Sequence, residues 1–180
     1  MNGPAGIIPA IRQLRDFEKI LHSPFEWIIF LETRLGQMKS LVNYAKRENK
    51  KVLVHIDLIK GLTADEYGVE YLANEVKVDG ILSTRNSVVE NTKKHDLIAI
   101  QRIFSLDSLS LEHNLNLSKR SKADYVEVLP GIIPTVIQEI KEKSDIPIIA
   151  GGLIRRKEEI EAAFDAGAIA ISTSCTKLWV

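Results

Sequence analysis

The feature that most constrains the fold of this chain is the regular recurrence of short apolar runs rich in β-branched residues. The runs are GIIPAI (6–11), WIIFLE (27–32), KVLVHIDLI (51–59), VDGILST (78–84), DLIAIQRIF (96–104), DYVEVLP (124–130), IPIIAGG (146–152) and AIAISTS (168–174). Runs of this length and composition predict buried β-strands. They begin at intervals of roughly twenty to thirty residues, which leaves room for one helix between successive strands.

The segments between these runs carry the spacing of amphipathic helices. Apolar residues fall at i, i+3, i+4 and i+7 in three clear sets: Met38, Leu41, Val42 and Ala45; Val69, Leu72, Ala73 and Val76; Ile160, Ala163, Phe164 and Gly167. Gly167 is expected to follow the last residue of its helix, where glycine accepts a left-handed backbone. Strands that alternate with helices predict an α/β fold with a parallel sheet.

Eight such units fit either a closed barrel or an open doubly wound sheet. Polar residues lie near the carboxyl ends of nearly every predicted strand: Glu32, His55, Asp57, Ser83 to Arg85, Gln101, Arg102, Glu127 and Ser172 to Ser174. A barrel gathers these ends around one mouth, whereas an open sheet spreads them along an edge. We therefore predict a compact, single-domain (β/α)8 TIM-type barrel over residues 1–180, with short loops and little material for a lid.

Charge and cysteine content limit the class of protein. Lys plus Arg and Asp plus Glu each number 24, so no global positive field favours nucleic acid or an anionic membrane. The single cysteine, Cys175, cannot form an internal disulfide, and the first residues lack a signal-peptide pattern. No apolar run is long enough to span a bilayer. We expect a cytoplasmic protein that uses no membrane.

Two motifs on the last two predicted strands favour a phosphate site. Gly151 and Gly152 end the seventh strand, and Ser172, Thr173 and Ser174 end the eighth. Barrels of this type often bind phosphate between these strands, where glycines let an oxyanion approach backbone amides and hydroxyls add donors. The alternative is that the glycines relieve crowding at a turn and that the hydroxyls cap the last helix.

The other polar residues at the predicted mouth suggest a polyol site. His55 and Asp57 are two residues apart, so on a strand they share a face; they either act as acid and base, hold a polyol, or form a buried structural pair. Glu127 lies in line with Tyr125, and Gln101 in line with Ala99, which predicts that both point inward. A buried carboxylate needs a partner, and Arg85 or Arg102 can supply one.

Several blocks of sequence resemble the glycerol-3-phosphate-responsive antiterminator family. They are IPAIR (8–12), HIDLIKGLTADE (55–66), DGILSTR (79–85), IQRIFSLDS (100–108), EVLPGIIP (127–134), IIAGGLI (148–154), STS (172–174) and LW (178–179). The resemblance implies a regulator that senses glycerol-3-phosphate and binds leader messenger RNA, allowing transcription past a terminator in glycerol-utilisation genes. The ligand-binding residues expected on this basis and from the motifs are His55, Asp57, Arg85, Gln101, Glu127, Gly151, Gly152, Ser172, Thr173 and Ser174.

RNA binding follows from the resemblance and not from composition, because no short RNA-recognition signature is present. Arg155, Arg156 and Lys157, which directly follow the glycine pair, are the first choice for RNA contacts, although such clusters are often solvated helix surface. We expect no cofactor, no metal site and no catalytic residue. The sequence does not decide whether the chain forms a homo-oligomer. The alternative is a barrel isomerase or lyase acting on a small phosphate ester, with Asp57 or Glu127 as base.

Overall fold

The computed structural model describes residues 3–105 and 107–179, and it confirms the predicted barrel. Eight parallel strands close on one another in chain order, so that β8 pairs with β1. The strands are β1 (Gly6–Ile11), β2 (Trp27–Phe30), β3 (Lys51–His55), β4 (Gly80–Ser83), β5 (Ile98–Phe104), β6 (Tyr125–Leu129), β7 (Ile148–Gly151) and β8 (Ala170–Thr173). All eight predicted runs therefore contain a barrel strand.

Helices cover the outside of the barrel. They are α1 (Leu14–Leu21), α2 (Leu35–Arg47), α3 (Glu66–Tyr71, continued by a π-helical turn at Leu72–Val76), α4 (Asn86–Lys94), α5 (Ser108–Arg120), α6 (Pro134–Lys143) and α7 (Lys157–Asp165). A 3-10 turn, Thr176–Leu178, follows β8 in place of a full helix. Gly167 has φ of 112° just beyond the end of α7, as its position in the pattern predicted.

One predicted strand is too long. The run at 51–59 forms β3 only as far as His55, and Ile56–Leu58 is a 3-10 turn. Ile59–Lys60 then pairs with Thr33–Arg34 in a small two-stranded sheet outside the barrel. The loops after β2 and β3 are thereby joined to each other at the carboxyl end of the barrel.

The core has an inner and an outer layer. Each strand contributes to the apolar barrel interior, through Ile8, Ile29, Leu53, Leu82, Ile100, Tyr125, Ile149 and Ala170. The outer strand faces pack against the helices, as Val54 does with Met38 and Val128 with Ile137. Both faces of most strands are thus buried, as in parallel sheets generally. Among the described residues, no helix is long and apolar enough to cross a membrane.

Candidate functional site

A cavity of about 440 Å³ opens at the carboxyl end of the barrel. Its wall is built from the ends of β1, β2, β5, β6 and β8 and from the loop after β7, because all barrel strands point towards this mouth. Five of the predicted ligand-binding residues line this cavity: Glu127, Gly152, Ser172, Thr173 and Ser174. We call this the mouth cavity.

The centre of the site is a chain of hydrogen bonds across the barrel interior. Arg102 on β5 donates from Nε to Oε2 of Glu127 on β6 at 2.6 Å, and Ser172 on β8 donates from Oγ to Oε1 of the same carboxylate at 2.6 Å. The side chain of Glu127 is 1% exposed and that of Arg102 is 10% exposed. Of the two arginines predicted as possible partners of Glu127, Arg102 is therefore the one that contacts it. Both carboxylate oxygens are engaged, so Glu127 fixes the orientation of the guanidinium group that lines the cavity.

Gly151 makes room for this chain of hydrogen bonds. A β-carbon at Gly151 would clash with Oγ of Ser172 and lie 2.8 Å from Oε1 of Glu127. Close packing inside the barrel, and not backbone conformation, therefore requires glycine at this strand position. The sequence left open whether the glycines relieve crowding or admit a ligand. At Gly151 the side chains of Ser172 and Glu127 leave no space for a β-carbon, so this glycine relieves crowding.

The loop after β7 starts with two left-handed residues. Gly152 has φ of 76° and Leu153 has φ of 62°. Leucine rarely adopts this conformation, and its side chain here is exposed at the rim of the mouth cavity. The backbone at the predicted phosphate position is therefore held in an unusual shape, of the type found at ligand-binding turns.

Three arginines line the mouth cavity: Arg12, Arg102 and Arg155. Arg12 follows β1 directly and forms an exposed ion pair with Glu32 after β2, with Nη1 and Oε1 3.1 Å apart. The sequence predicts Arg102 at a strand end and as a possible partner of Glu127, whereas Arg12 is not among the residues predicted for the site. The criterion of polar residues at strand ends applies equally to Arg12, which stands one residue beyond the first predicted run.

The three hydroxyl residues at the end of β8 have different surroundings. Ser172 points inward to Glu127, whereas Thr173 points outward and donates to the carbonyl of Ile154 at 2.9 Å. The hydroxyl of Thr173 also accepts from the amide of Cys175 at 3.1 Å. Ser174 is exposed and lines the cavity. Of the three, Ser174 has the hydroxyl that is most accessible to a ligand.

The predicted RNA cluster lies at the start of α7, where its charges are partly paired. Glu159 accepts from the amides of Arg155 at 2.7 Å and Arg156 at 3.1 Å, and it also accepts two bonds from the guanidinium of Arg156. These bonds lower the pKa of the Glu159 carboxyl, and those from the side chain of Arg156 raise the pKa of its guanidinium. Arg155 faces the mouth cavity, and Lys157 begins the helix.

His55 and Asp57 occupy a second part of the mouth, outside the lining of the large cavity. His55 ends β3 and Asp57 lies in the following 3-10 turn, so their predicted placement on one strand face is wrong. The turn nevertheless brings Nε2 of His55 within 3.8 Å of Oδ2 of Asp57. Asp57 also accepts from the amide of Thr84 at 3.3 Å and lies 3.4 Å from Nε of Arg85.

The imidazole of His55 is buried without a hydrogen-bond partner within the described part of the chain. Burial, followed by the positive charge of Arg102, lowers the pKa of His55 to about 4, and the carboxylates of Asp57 and Glu127 oppose this shift. His55 is therefore neutral near pH 7, with one nitrogen that can donate and one that can accept. Such a group suits hydroxyls better than an anion.

Gln101 does not face the barrel interior. It lies on the outer face of β5 with Ala99, which packs with Val89 and Ala123 in the helical layer. Its amide donates to the carbonyls of Thr84 at 2.9 Å and Ser83 at 3.3 Å. The inward orientation predicted from its alignment with Ala99 is wrong, because small Ala99 belongs to the outer layer.

The remaining histidines lie within helices or directly after them. His22 and His95 follow α1 and α4, and His113 lies within α5. Across residues 3–105 and 107–179, no group of three His, Cys, Asp or Glu side chains is arranged to hold a metal ion.

The comparison with family models identifies one family. Residues 7–179 match the family model described as glycerol-3-phosphate responsive antiterminator. The glycerol uptake operon antiterminator regulatory protein of Listeria monocytogenes is 42% identical, and its crystal structure matches with a TM-score of 0.94 over 97% of this chain and 94% of that one.

Two further relatives extend this similarity. A glycerol uptake operon antiterminator-related protein from Thermotoga maritima is 28% identical and has a TM-score of 0.86, with 97% of this chain and 98% of that one covered. The uncharacterized protein YgcP of Escherichia coli is 30% identical over 174 residues, which is 96% of this chain and 91% of its own length. In all three relatives the similarity covers nearly the whole chain.

Proposed function

Since the chain belongs to the glycerol-3-phosphate responsive antiterminator family, we propose that it binds glycerol-3-phosphate at the barrel mouth and acts on leader messenger RNA in the cytoplasm. Ligand binding changes the affinity for RNA, and bound protein allows transcription past a terminator in genes for glycerol utilisation. The ligand is sensed and not converted.

The observation that carries this proposal is the guanidinium of Arg102 at the wall of the mouth cavity. Glu127 holds it through Nε, and within the described residues no other acceptor engages this side chain. Its terminal amino groups are thus available for a phosphate, to which arginine gives two parallel hydrogen bonds. Arg12 and Arg155 on the same wall add positive charge, so the cavity favours an anion.

The polyol part of the ligand matches the second part of the mouth. His55 is neutral near pH 7 and has unpartnered nitrogens, and Asp57 lies beside it. The two parts are close together, because the positive charge of Arg102 contributes to the lowered pKa of His55. One ligand with its phosphate at Arg102 and its hydroxyls at His55 therefore uses both parts. Glycerol-3-phosphate has this division into an anionic and a hydroxyl-bearing end.

Binding without turnover is favoured by the state of Glu127. Both of its oxygens accept hydrogen bonds within the protein, so neither is directed at a substrate proton. The loops after the strands are also short, which leaves few residues to exclude water from a reaction. A measurable conversion of glycerol-3-phosphate that disappears in Asp57→Asn would replace the sensor with the isomerase or lyase.

Isothermal titration calorimetry tests the proposed ligand by comparing the affinities for glycerol-3-phosphate and for glycerol. Glycerol-3-phosphate should bind far more tightly than glycerol, because charge-assisted bonds to phosphate contribute about 1.5–3 kcal/mol each. Arg102→Lys keeps a positive partner for Glu127 but cannot hold both the carboxylate and a phosphate in a fork, so we expect roughly 10- to 100-fold weaker binding. Arg120→Lys, at the exposed end of α5, is the matched control and should bind normally. Equal affinity for glycerol and its phosphate would rule out this site.

A binding titration with the leader transcript of a glycerol-uptake operon tests the proposed RNA binding. Wild-type protein should bind the transcript with an affinity that depends on glycerol-3-phosphate. Arg155, Arg156 and Lys157 stay the sequence-based prediction for the contact surface, and a triple alanine variant of these residues tests them. Absence of binding by wild type under both conditions would refute the regulatory function.

A further inference from the structure

A second cavity, of about 410 Å³, lies beside the mouth between the start of α1 and the 3-10 turn that follows β8. The side chains of Arg12, Arg15 and Lys19 line it, with Asp16 as its one carboxylate. Ser174 and Thr176 form the opposite wall. We call this the basic groove. Its charge contrasts with the whole chain, whose formal net charge is zero.

The cations of the basic groove are open to solvent. Arg12, Arg15 and Lys19 are all exposed. Arg15 forms no ion pair within the described residues, and Lys19 lies 3.4 Å from Asp16 in an exposed pair of little strength. Their charges are therefore available to an external anion.

Helix stability explains Lys19, which lies in the last turn of α1, but it does not explain Arg12 and Arg15. Arg15 lies in the first turn of α1, and Arg12 comes just before the helix. The amino-terminal end of a helix carries partial positive charge, which disfavours cations there. An anionic partner in the groove removes that repulsion and completes the helix end.

The basic groove is continuous with the mouth cavity. Ala10, Arg12 and Ser174 line both. We infer that the basic groove binds the phosphate backbone of single-stranded RNA, and that Arg12 couples this surface to ligand in the mouth cavity. This inference rests on the proposed RNA-binding function and assigns its contact surface and its coupling residue.

The groove is better suited to this role than the start of α7. There, Glu159 engages the guanidinium and the amide of Arg156, and the amide of Arg155 as well. Glu158 and Glu161 add further negative charge to the same helix. Phosphate binding at α7 has to compete with these carboxylates, whereas the lining of the groove contains three cations and one carboxylate.

Arg12 supplies the coupling because its present partner is easily exchanged. Its ion pair with Glu32 is exposed, with side chains 58% and 47% accessible, so it contributes little stability. A phosphate in the mouth cavity competes with Glu32 for the same guanidinium. The position of Arg12, and with it the charge of the groove, then depends on whether ligand is bound, as coupling between two sites requires.

The test compares salt dependence of leader-transcript binding for wild type and Arg15→Ala/Lys19→Ala. Each phosphate contact on a single strand contributes about 0.7 to the slope of log affinity against log salt, so loss of two contacts should flatten it by about 1.4 and weaken binding about tenfold. Calorimetry should show unchanged glycerol-3-phosphate binding, because neither residue lines the mouth cavity. Lys119→Ala/Arg120→Ala, which removes the same charges from exposed positions on α5, should keep the wild-type slope.

Arg12→Ala tests the coupling at saturating glycerol-3-phosphate. Its affinity for the transcript should no longer change when ligand is added. If wild type binds the transcript but the Arg15/Lys19 variant shows the same affinity and slope, the groove is not the contact surface, while the proposed function stands. If Arg12→Ala keeps the full ligand response, the coupling is wrong. If wild type binds no transcript, the proposed function fails and this inference fails with it.

Discussion

Single residues at the mouth depend on one another through Glu127. The carboxylate is almost fully buried, and a buried charge is tolerated only when it is paired and hydrogen-bonded. Arg102 and Ser172 satisfy it from two other strands, and Gly151 on the strand between β6 and β8 leaves the space. The site therefore needs a glycine as much as it needs the charged pair.

Replacement of Gly151 by alanine should damage ligand binding through this network. The added methyl would lie 2.8 Å from Oε1 of Glu127 and clash with Ser172, so we expect a loss of about 1–3 kcal/mol in unfolding free energy and weaker glycerol-3-phosphate binding. Gly36→Ala in α2 is the control, because no atom lies within 4 Å of the added carbon. Since Gly36 is an exposed residue in the first turn of α2, this control should change stability by less than about 0.5 kcal/mol. Wild-type affinity and stability in Gly151→Ala would show that the network tolerates rearrangement.

Sequence reasoning at the residue scale succeeded where chemistry demanded a partner. A carboxylate predicted to point inward requires a cation, and Arg102 was one of the two arginines considered. It missed Arg12 as a site residue, although Arg12 directly follows the first apolar run and ends the IPAIR block. It also could not choose between the two explanations of Gly151, because only the packing of Ser172 and Glu127 around it distinguishes them.

At the scale of elements, strand alternation decides which residues reach the cavity. β5 has isoleucine on its inner face at Ile100 and on its outer face at Ile103, so both faces look apolar in the sequence. The inward face of β5 could therefore not be identified from hydrophobicity, and Gln101 was assigned to the wrong side. In β6, Tyr125 and Glu127 alternate with Val126 and Val128, which makes the polar face distinct.

The two faces of β8 provide a test of this alternation. Ser172 supports Glu127 in the interior, whereas Thr173 holds the carbonyl of Ile154 and the amide of Cys175 on the outside. Ser172→Ala should weaken glycerol-3-phosphate binding several-fold. Thr173→Ala leaves the buried carbonyl of Ile154 and the partly buried amide of Cys175 without this hydroxyl, and it should cost about 1–3 kcal/mol, with little effect on ligand affinity.

Calorimetry and hydrogen exchange separate the two effects. Amide exchange over residues 174–179 should accelerate in Thr173→Ala, because the amide of Cys175 loses the Thr173 hydroxyl that accepts its hydrogen bond. Ser172→Ala should leave this exchange nearly unchanged. The opposite pattern, with ligand affinity lost only in Thr173→Ala, would place the binding hydroxyl on the outer face.

The whole molecule was the most predictable level. Eight strand–helix units in one chain leave few topologies, and polar residues at nearly every strand end favour closure over an open sheet. The 3-10 turn at Ile56–Leu58 was less predictable, since an apolar run gives no sign of where a strand stops and a turn starts. The basic groove was not predictable either, because Arg12, Arg15 and Ser174 meet only through the closure of β8 on β1.

Global stability should fall in mild acid because of His55. Its pKa is lowered from 6.5 to about 4 in the folded protein, so between these values the unfolded chain binds a proton that the native state does not. The free energy of unfolding then decreases as pH falls through this window, by an amount on the order of 3 kcal/mol at its lower end, since one pKa unit corresponds to about 1.4 kcal/mol.

Urea unfolding of wild type and His55→Gln from pH 7 to pH 4 measures this loss of stability, with His113→Gln on the exposed surface of α5 as the control. The His55 variant should lose less stability than wild type over this range, whereas the His113 variant should follow wild type. Parallel curves for wild type and His55→Gln would mean that the buried imidazole takes up its proton normally.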